Sequence, residues 1–135
     1  IGTAVDIYEH PDTTFVAQFV GIADFLPVFI RDNIAQCMLG SLDLKHNLYG
    51  MENMTLMIRP TDTSICPSNH GTGSIISRIY QGAFTLYRTL LDTGDFIHSL
   101  VPSKQQLQIG TRVELRLQSS HTSRYFKDHK AINNI

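Results

Sequence analysis

At 135 residues, with 42% hydrophobic and 17% charged residues, the chain suffices for one ordinary globular domain whose core needs no metal or disulfide staple. A formal net charge of −1 gives no electrostatic case for nucleic acid or anionic membrane, and no apolar run approaches the roughly 20 residues that cross a bilayer. Cys37 and Cys66 lie far apart without a CxxC, which indicates neither a disulfide framework nor a zinc knuckle; two separated thiols fit a reducing compartment better than a single Cys37–Cys66 bridge does.

The chain opens abruptly at Ile1, without the basic head and apolar core of a signal peptide, like a chain entered in the middle of a connector. Thr3 is placed to cap a first helix, with Asp6 three residues on in the capping-box position. Pro11 stops that helix by His10, because a proline disfavours helical backbone in the residue before it. Asp12 or Thr13 offers a second cap. Phe15, Val16, Phe19 and Val20 then share one face of a second short helix, and Gly21 is a natural terminator. Helices this short are marginal in water. Phe15 and Phe19 are therefore expected to pack on the elements that follow.

From Phe25 the pattern is β. Arg31-Asp32-Asn33 suits a turn between strands at Pro27–Ile30 and Ile34–Leu39. Met54–Arg59 alternates, with Leu56 and Ile58 on one face, and Pro60 ends it. Ile65 opens a short strand that Pro67 stops, and Ser68-Asn69-His70-Gly71 is loop. Gly73–Tyr80 is a strand with Ile75 and Ile79 inward and Ser74 and Arg78 on the other side. Gln81-Gly82 turns the chain into Phe84–Leu91, where Leu86 and Leu90 oppose Tyr87 and Thr89. Asp92-Thr93-Gly94 signals a hairpin returning through Asp95–Val101 to Pro102. Gly110 precedes the clearest alternation, with Val113, Leu115 and Leu117 inward and Arg112, Glu114, Arg116 and Gln118 outward. Beyond Gln118 a polar tail either frays or adds one more strand. Six to eight short strands with frequent turns predict a mainly β chain, an antiparallel barrel or sandwich behind two short N-terminal helices. Glycine-terminated hairpins in both halves also suit two small barrel-like lobes.

No residue set makes a strong claim to chemistry. The six histidines form no HxH or HExxH pattern; His121, His129 and Asp128 are the best candidates to meet around a metal, and solvated tail residues are the better reading. Ser68 to Gly73 has the small-residue texture of an anion nest but lacks a lysine and runs into a strand, so a turn is favoured. No Gly-x-Ser-x-Gly occurs, and no serine or cysteine stands out as a nucleophile. Asn53-Met54-Thr55 is formally a glycosylation sequon, without meaning in a chain that carries no secretory signal. Arg124 to Lys130 is locally basic, yet tryptophan is absent and the bases elsewhere are balanced by acids, so a solvated tail is favoured over a nucleic-acid arm.

The opening segment resembles the stretch that follows the nucleotide-binding domain in ATP-binding subunits of ABC importers. There the ATPase ends near Gly-Thr-Pro-x-Glu-Ile-Tyr-x-x-Pro, and a Phe-Val-Ala-x-Phe-Ile-Gly helix leads into a β-domain. Gly2, Thr3, Asp6, Ile7, Tyr8, Pro11, Phe15, Val16, Ala17, Phe19, Val20 and Gly21 occupy those positions here; Ala4 replaces the usual proline and Asp6 the common glutamate. Phe25-Leu26-Pro27 is similar to the ferric-iron and polyamine members. Met57-Ile58-Arg59-Pro60 resembles a strand ending in Arg-Pro-Glu, with Thr61 in place of the acid. Gly73–Gly94 resembles the following hairpin, and Gly110–Leu117 the closing Gly-x-x-Val-x-Leu strand.

The resemblance implies a transport-associated OB-type (TOBE) regulatory domain at 25–135, reached through a helical connector at 1–24 from an ATPase domain outside this chain. It implies no catalytic, cofactor-binding or metal-binding residue here, since ATP and magnesium would be held by that ATPase domain. Phe15, Phe19, Phe25 and Leu26 would be interdomain or core packing residues, not a site. The implied partners are the chain's own ATPase domain, a homodimer partner and the transporter's membrane subunits, with no nucleic acid. The implied location is cytoplasmic, at the inner face of the membrane, and ferric iron is the favoured solute. The rival readings are a stand-alone β-domain binding an oxyanion or polyamine, and a nucleic-acid-binding OB-fold.

Overall fold

The computed structural model describes residues 3–19, 21–44, 53–118 and 124–132. Two helices, α1 (Ala4–Glu9) and α2 (Thr14–Phe19), precede the strands β1 (Asp24–Arg31), β2 (Ile34–Cys37), β3 (Gly40–Asp43) and β4 (Met54–Ile58). There follow β5 (Thr63–Pro67), β6 (Gly73–Tyr80), β7 (Phe84–Leu91), β8 (Phe96–Pro102), β9 (Arg112–Leu117), β10 (Tyr125–Lys127) and β11 (Lys130–Ile132). The chain is mainly β, as its pattern predicts, but its described residues hold eleven strands against the six to eight expected. It divides into two compact units, Ile1–Met57 with Thr122–Ile135, and Ile58–His121.

In the first unit the capping box forms as read: Asp6 N donates to Thr3 Oγ1 at 3.2 Å and Thr3 N to Asp6 Oδ2 at 3.4 Å. Of the two candidate caps for α2, Thr13 serves, its hydroxyl accepting from Val16 N at 3.2 Å. The buried anchor of α2 is Ala17, which packs with Ala23, Met57 and Phe126. This corrects the expectation for Phe15, which is 73% exposed. Positions two apart lie about 200° around a helix, so burying the small Ala17, which lets the helix approach closely, turns Phe15 outward. The side chain of Phe19 and all of Val20 lie outside the described residues.

The sheet of this unit runs β11-β10-β4-β1-β2-β3. The β1–β2 turn is the tight one foreseen: Asp32 and Asn33 have φ of 53° and 60°, the pair of left-handed conformations of a type I′ hairpin. The strand expected at Ile34–Leu39 instead ends at Cys37, and the chain folds back through Met38-Leu39 so that Cys37 pairs with Gly40. In β4, Leu56 and Ile58 are buried as expected, and Met57 on the opposite face is buried as well. The polar tail becomes a hairpin rather than one strand. Asp128 and His129, with φ of 51° and 67°, join β10 to β11, and Phe126 pairs with Thr55 on one side and Ala131 on the other.

In the second unit the sheet runs β5-β9-β6-β7-β8, with every neighbouring pair antiparallel. Its two edge strands approach each other, and the buried hydroxyls of Thr63 on β5 and Ser99 on β8 are hydrogen-bonded at 2.7 Å. A five-stranded antiparallel sheet drawn together at its edges is OB-like. The inward face of β7 is Thr85, Tyr87, Thr89 and Leu91. Val113 and Leu115 are buried in β9 as read, whereas Leu117 is half-buried.

One register differs from the alternation. Ile75 pairs with Thr89 but Ser77 with Arg88, so Ile76 is the extra residue of a β-bulge. An extra residue inverts every later side chain. Ile75 is buried, but Ile79, expected inward, pairs with Leu86 on the outer face and is 56% exposed. Arg78, expected outward, comes opposite Tyr87 on the inner face, where Nη1 donates to Leu107 O at 3.0 Å.

Candidate functional site

In the first unit the segment before α2 is tied to the β10–β11 hairpin. Thr14 N donates to His129 O at 3.0 Å and Ala131 N to Asp12 O at 2.8 Å, while Thr14 Oγ1 and His129 Nδ1 are hydrogen-bonded at 3.2 Å. Arg124 Nη2 reaches Pro11 O at 3.5 Å and Asp12 Oδ1 at 3.9 Å. Arg124, from the locally basic stretch, thus binds a chain segment of its own unit.

Beside this junction lies a cavity of about 380 Å³. Its apolar wall is Phe25 and Phe126, packed edge-to-face with ring centroids 5.2 Å apart and planes at 89°. Its polar wall combines the amides of Gln18 and Asn53, the hydroxyls of Thr14 and Thr55, and Asp128 and His129 from the hairpin turn. The backbone puts them there: Thr55 and Phe126 are direct cross-strand partners, and the left-handed turn at Asp128-His129 brings that pair round toward Thr14.

In the second unit the loop before β6 forms the turn that its composition favoured. Ser68 N donates to Arg112 O, His70 N to Ser68 Oγ, Gly71 N to Ser68 O and Thr72 N to Val113 O. With these amides engaged, the segment does not present the convergent donors of an anion nest. Gly71 lies so close to the Val113 backbone that a Cβ would collide with it. Arg112 secures the loop, donating to Gly71 O at 2.6 Å and Ser74 Oγ at 3.2 Å and forming a bidentate pair with Asp92 at 2.9 and 2.8 Å. The Arg112 hydrogen bond holds the Asp92 carboxyl below its ordinary value, and the same bond raises Arg112.

Of the metal candidates, Asp128 and His129 are adjacent at the hairpin tip, whereas His121 lies outside the described residues. Among the described residues no three of His, Cys, Asp and Glu cluster to hold a metal ion. Both cysteines are free; burial pushes the Cys37 thiol up, the opposite of an activated nucleophile. Among the described residues no helix is long and apolar enough to cross a membrane. Leu26 and Phe25 serve as packing residues, Leu26 buried and Phe25 against Phe126. The cavity itself escaped sequence reasoning. Its residues come from α2, β1, the β4 start and the β10–β11 hairpin, and no local spacing links them.

Fold and geometry define an antiparallel, OB-like β-domain with short helices leading into it. Residues 56–124, just over half of the chain, match the TOBE domain, and the chain belongs to that family. It is 29% identical over 121 residues to the spermidine/putrescine import ATP-binding protein PotA of Desulfitobacterium hafniense, covering 87% of this chain and 34% of that protein. It is 32% identical over 97 residues to the Fe(3+) ions import ATP-binding protein FbpC 2 of Rhodococcus jostii, covering 70% and 28%. It is 40% identical over 93 residues to the sulfate/thiosulfate import ATP-binding protein CysA 2 of Chromobacterium violaceum, covering 64% and 25%. The chain thus spans about a third or less of the length of these relatives. Their names divide among three solutes, so the resemblance to the ferric-iron and polyamine branch is not narrowed further.

Proposed function

We propose that this chain is the regulatory domain of the ATP-binding subunit of an ABC importer, non-catalytic in itself. The observation that carries the reading is the TOBE match at residues 56–124 within a longer similarity to import ATP-binding proteins. In this reading residues 1–24 connect to an ATPase domain that holds ATP and magnesium, and 25–135 form the regulatory domain. Its partners are that ATPase domain, a second subunit and the membrane subunits of the importer, which places it at the cytoplasmic face of the membrane. The exposed Phe15 and Val5 offer apolar surface to the ATPase domain. Ferric iron is the solute we carry forward, on the likeness of Phe25-Leu26-Pro27 to that branch.

The test is the reading frame that encodes Ile1 and its flanks. The proposal expects Gly-x-x-x-x-Gly-Lys-Ser/Thr and the other ATPase motifs in the roughly 250 residues upstream. A frame without them overturns it. With the whole gene in hand, uptake of labelled ferric iron, spermidine and sulfate by cells with and without it decides the solute, and loss of spermidine or sulfate uptake alone removes iron.

A further inference from the structure

The cavity beside α2 has a donor and acceptor pattern that selects among ligand classes. Among the described residues no lysine or arginine lines it while Asp128 does, so a sulfate, phosphate or carboxylate would face a like charge with no permanent cation beside it. Among the described residues Asp128 is the one carboxylate in the wall, too few for a hard divalent cation, which collects six or more oxygens. A bound ammonium would use acceptors only, so of each amide just the carbonyl oxygen would serve it and the N–H groups of Gln18 and Asn53 would go unused. Hydroxyl groups behave otherwise. Each both donates and accepts, and so do the amides and hydroxyls that make up most of this polar wall.

The apolar wall completes the match. Phe25 is half-buried and packs edge-to-face with the buried Phe126, so the wall offers apolar surface to the C–H groups of a ring. The volume of about 380 Å³ lies at the small end of ligand pockets, suited to one ring rather than a long chain. The site is also held in shape. Thr14 and His129 are hydrogen-bonded to each other, and the backbone bonds between residues 12–14 and 129–131 fix the segment before α2 to the hairpin.

We propose that the groove between α2 and the β10–β11 hairpin binds a small neutral polyhydroxylated ligand, a monosaccharide or sugar alcohol. The amides of Asn53 and Gln18 and the hydroxyl of Thr55 exchange hydrogen bonds with its hydroxyls. Asp128 accepts one more, and the Phe25–Phe126 pair underlies its carbon face. Affinity is weak, about millimolar, because few contacts offset the cost of fixing a mobile solute. This inference rests on the groove alone and is independent of the importer reading.

The experiment is saturation-transfer NMR on the 135-residue chain with D-glucose and sorbitol, with putrescine and sulfate as charged controls, alongside amide shift mapping. Expected is transfer to glucose or sorbitol C–H protons, with shifts clustered at Thr14, Gln18, Thr55 and Phe126. Thr55→Val and Asn53→Gly each weaken binding about threefold to tenfold, the loss from one neutral hydrogen bond. Glycine keeps the left-handed backbone of Asn53, whose φ is 57°, and unchanged melting of both variants excludes misfolding as the cause. Asp128→Asn keeps an oxygen acceptor and leaves glucose binding within about threefold. No transfer to either polyol overturns the proposal, as does transfer unaffected by Thr55→Val and Asn53→Gly. Putrescine binding that Asp128→Asn abolishes, with glucose silent, makes the groove an ammonium site and equally overturns it. Sulfate bound there in place of glucose does the same.

Discussion

The hydroxyls of Thr63 and Ser99 lie 2.7 Å apart, both buried, where the first and last strands of the second unit's sheet meet. Each satisfies the other in a place water does not reach. Thr63→Val keeps the shape and strands the Ser99 hydroxyl, which costs about 1–3 kcal/mol. Adding Ser99→Ala removes the orphan, so the double variant loses less than the sum of the singles. Urea denaturation midpoints of the four proteins measure the coupling, and strict additivity contradicts it.

Tyr87 is the largest polar side chain in the core of that unit, and its hydroxyl is fully used. It donates to Gln105 O at 3.1 Å and accepts from Leu107 N at 3.0 Å, pinning the connection between β8 and β9. Tyr87→Phe leaves the Leu107 N–H buried without this acceptor, a loss of about 1–3 kcal/mol. The consequence is also local. Amide exchange at Leu107 accelerates more than exchange at Leu115, whose strand ladder is untouched.

The Asp92–Arg112 pair sets a dependence on acid. Asp92 has its folded value below the ordinary 3.8, chiefly through the hydrogen bond from Arg112. Its contribution is therefore complete above that ordinary value and is lost as pH falls through the lower folded value. Both side chains reach solvent, so the effect is small and shrinks with added salt. Asp92→Asn flattens the stability curve below about pH 4 and leaves its shape near neutrality unchanged. Thermal melts from pH 2.5 to 7 at low and high salt follow both features.

The β1–β2 hairpin depends on two residues that tolerate left-handed backbone, Asp32 at φ 53° and Asn33 at φ 60°. Asn33→Ala places a β-carbon in that conformation and costs about 1–2 kcal/mol. Asn33→Gly removes the strain and changes stability by a few tenths at most, in either direction, since glycine's gain is offset by its unfolded-state entropy. A thermal melt in which alanine equals glycine contradicts the turn assignment.

Local rules were readable wherever one residue dictates the backbone. The Thr3–Asp6 box, the Asp32-Asn33 turn, the Gly94 hairpin with φ 97° and the Val113–Leu115 alternation all carry their cause in neighbouring residues. What escaped depends on distant partners. Asp128 and His129 are an unusual pair for a tight turn, and only the pairing of β10 with β4 draws them out of a polar tail. Met38-Leu39 gives no turn signal beyond the Gly40 that follows. The groove draws on segments more than 100 positions apart, Thr14 and His129 at its extremes, so no spacing announced it.

The bulge at Ile76 makes the sharpest contrast between reading and structure, because Ile75 and Ile79 look equivalent in the sequence. An even spacing of four puts both on one face of a regular strand, and a single inserted residue parts them. Ile75 is 1% exposed opposite the buried Thr89, so Ile75→Ala removes packed methyl groups and costs about 2–5 kcal/mol. Ile79 stands outside, opposite Leu86, and Ile79→Thr keeps a β-branched residue in an exposed strand position, with a change within about 0.5 kcal/mol. Deleting Ile76 tests the register itself. Without that residue Ile75 and Ile79 stand three positions apart and alternate onto opposite faces of a regular strand, so Arg78 stays opposite Tyr87 and keeps its bond to Leu107 O. The deletion variant should therefore still tolerate Ile79→Thr within about 0.5 kcal/mol. A loss of more than 1 kcal/mol from Ile79→Thr in that variant, roughly the cost of a hydroxyl in the core, would show Ile79 turned inward and contradict the bulge assignment.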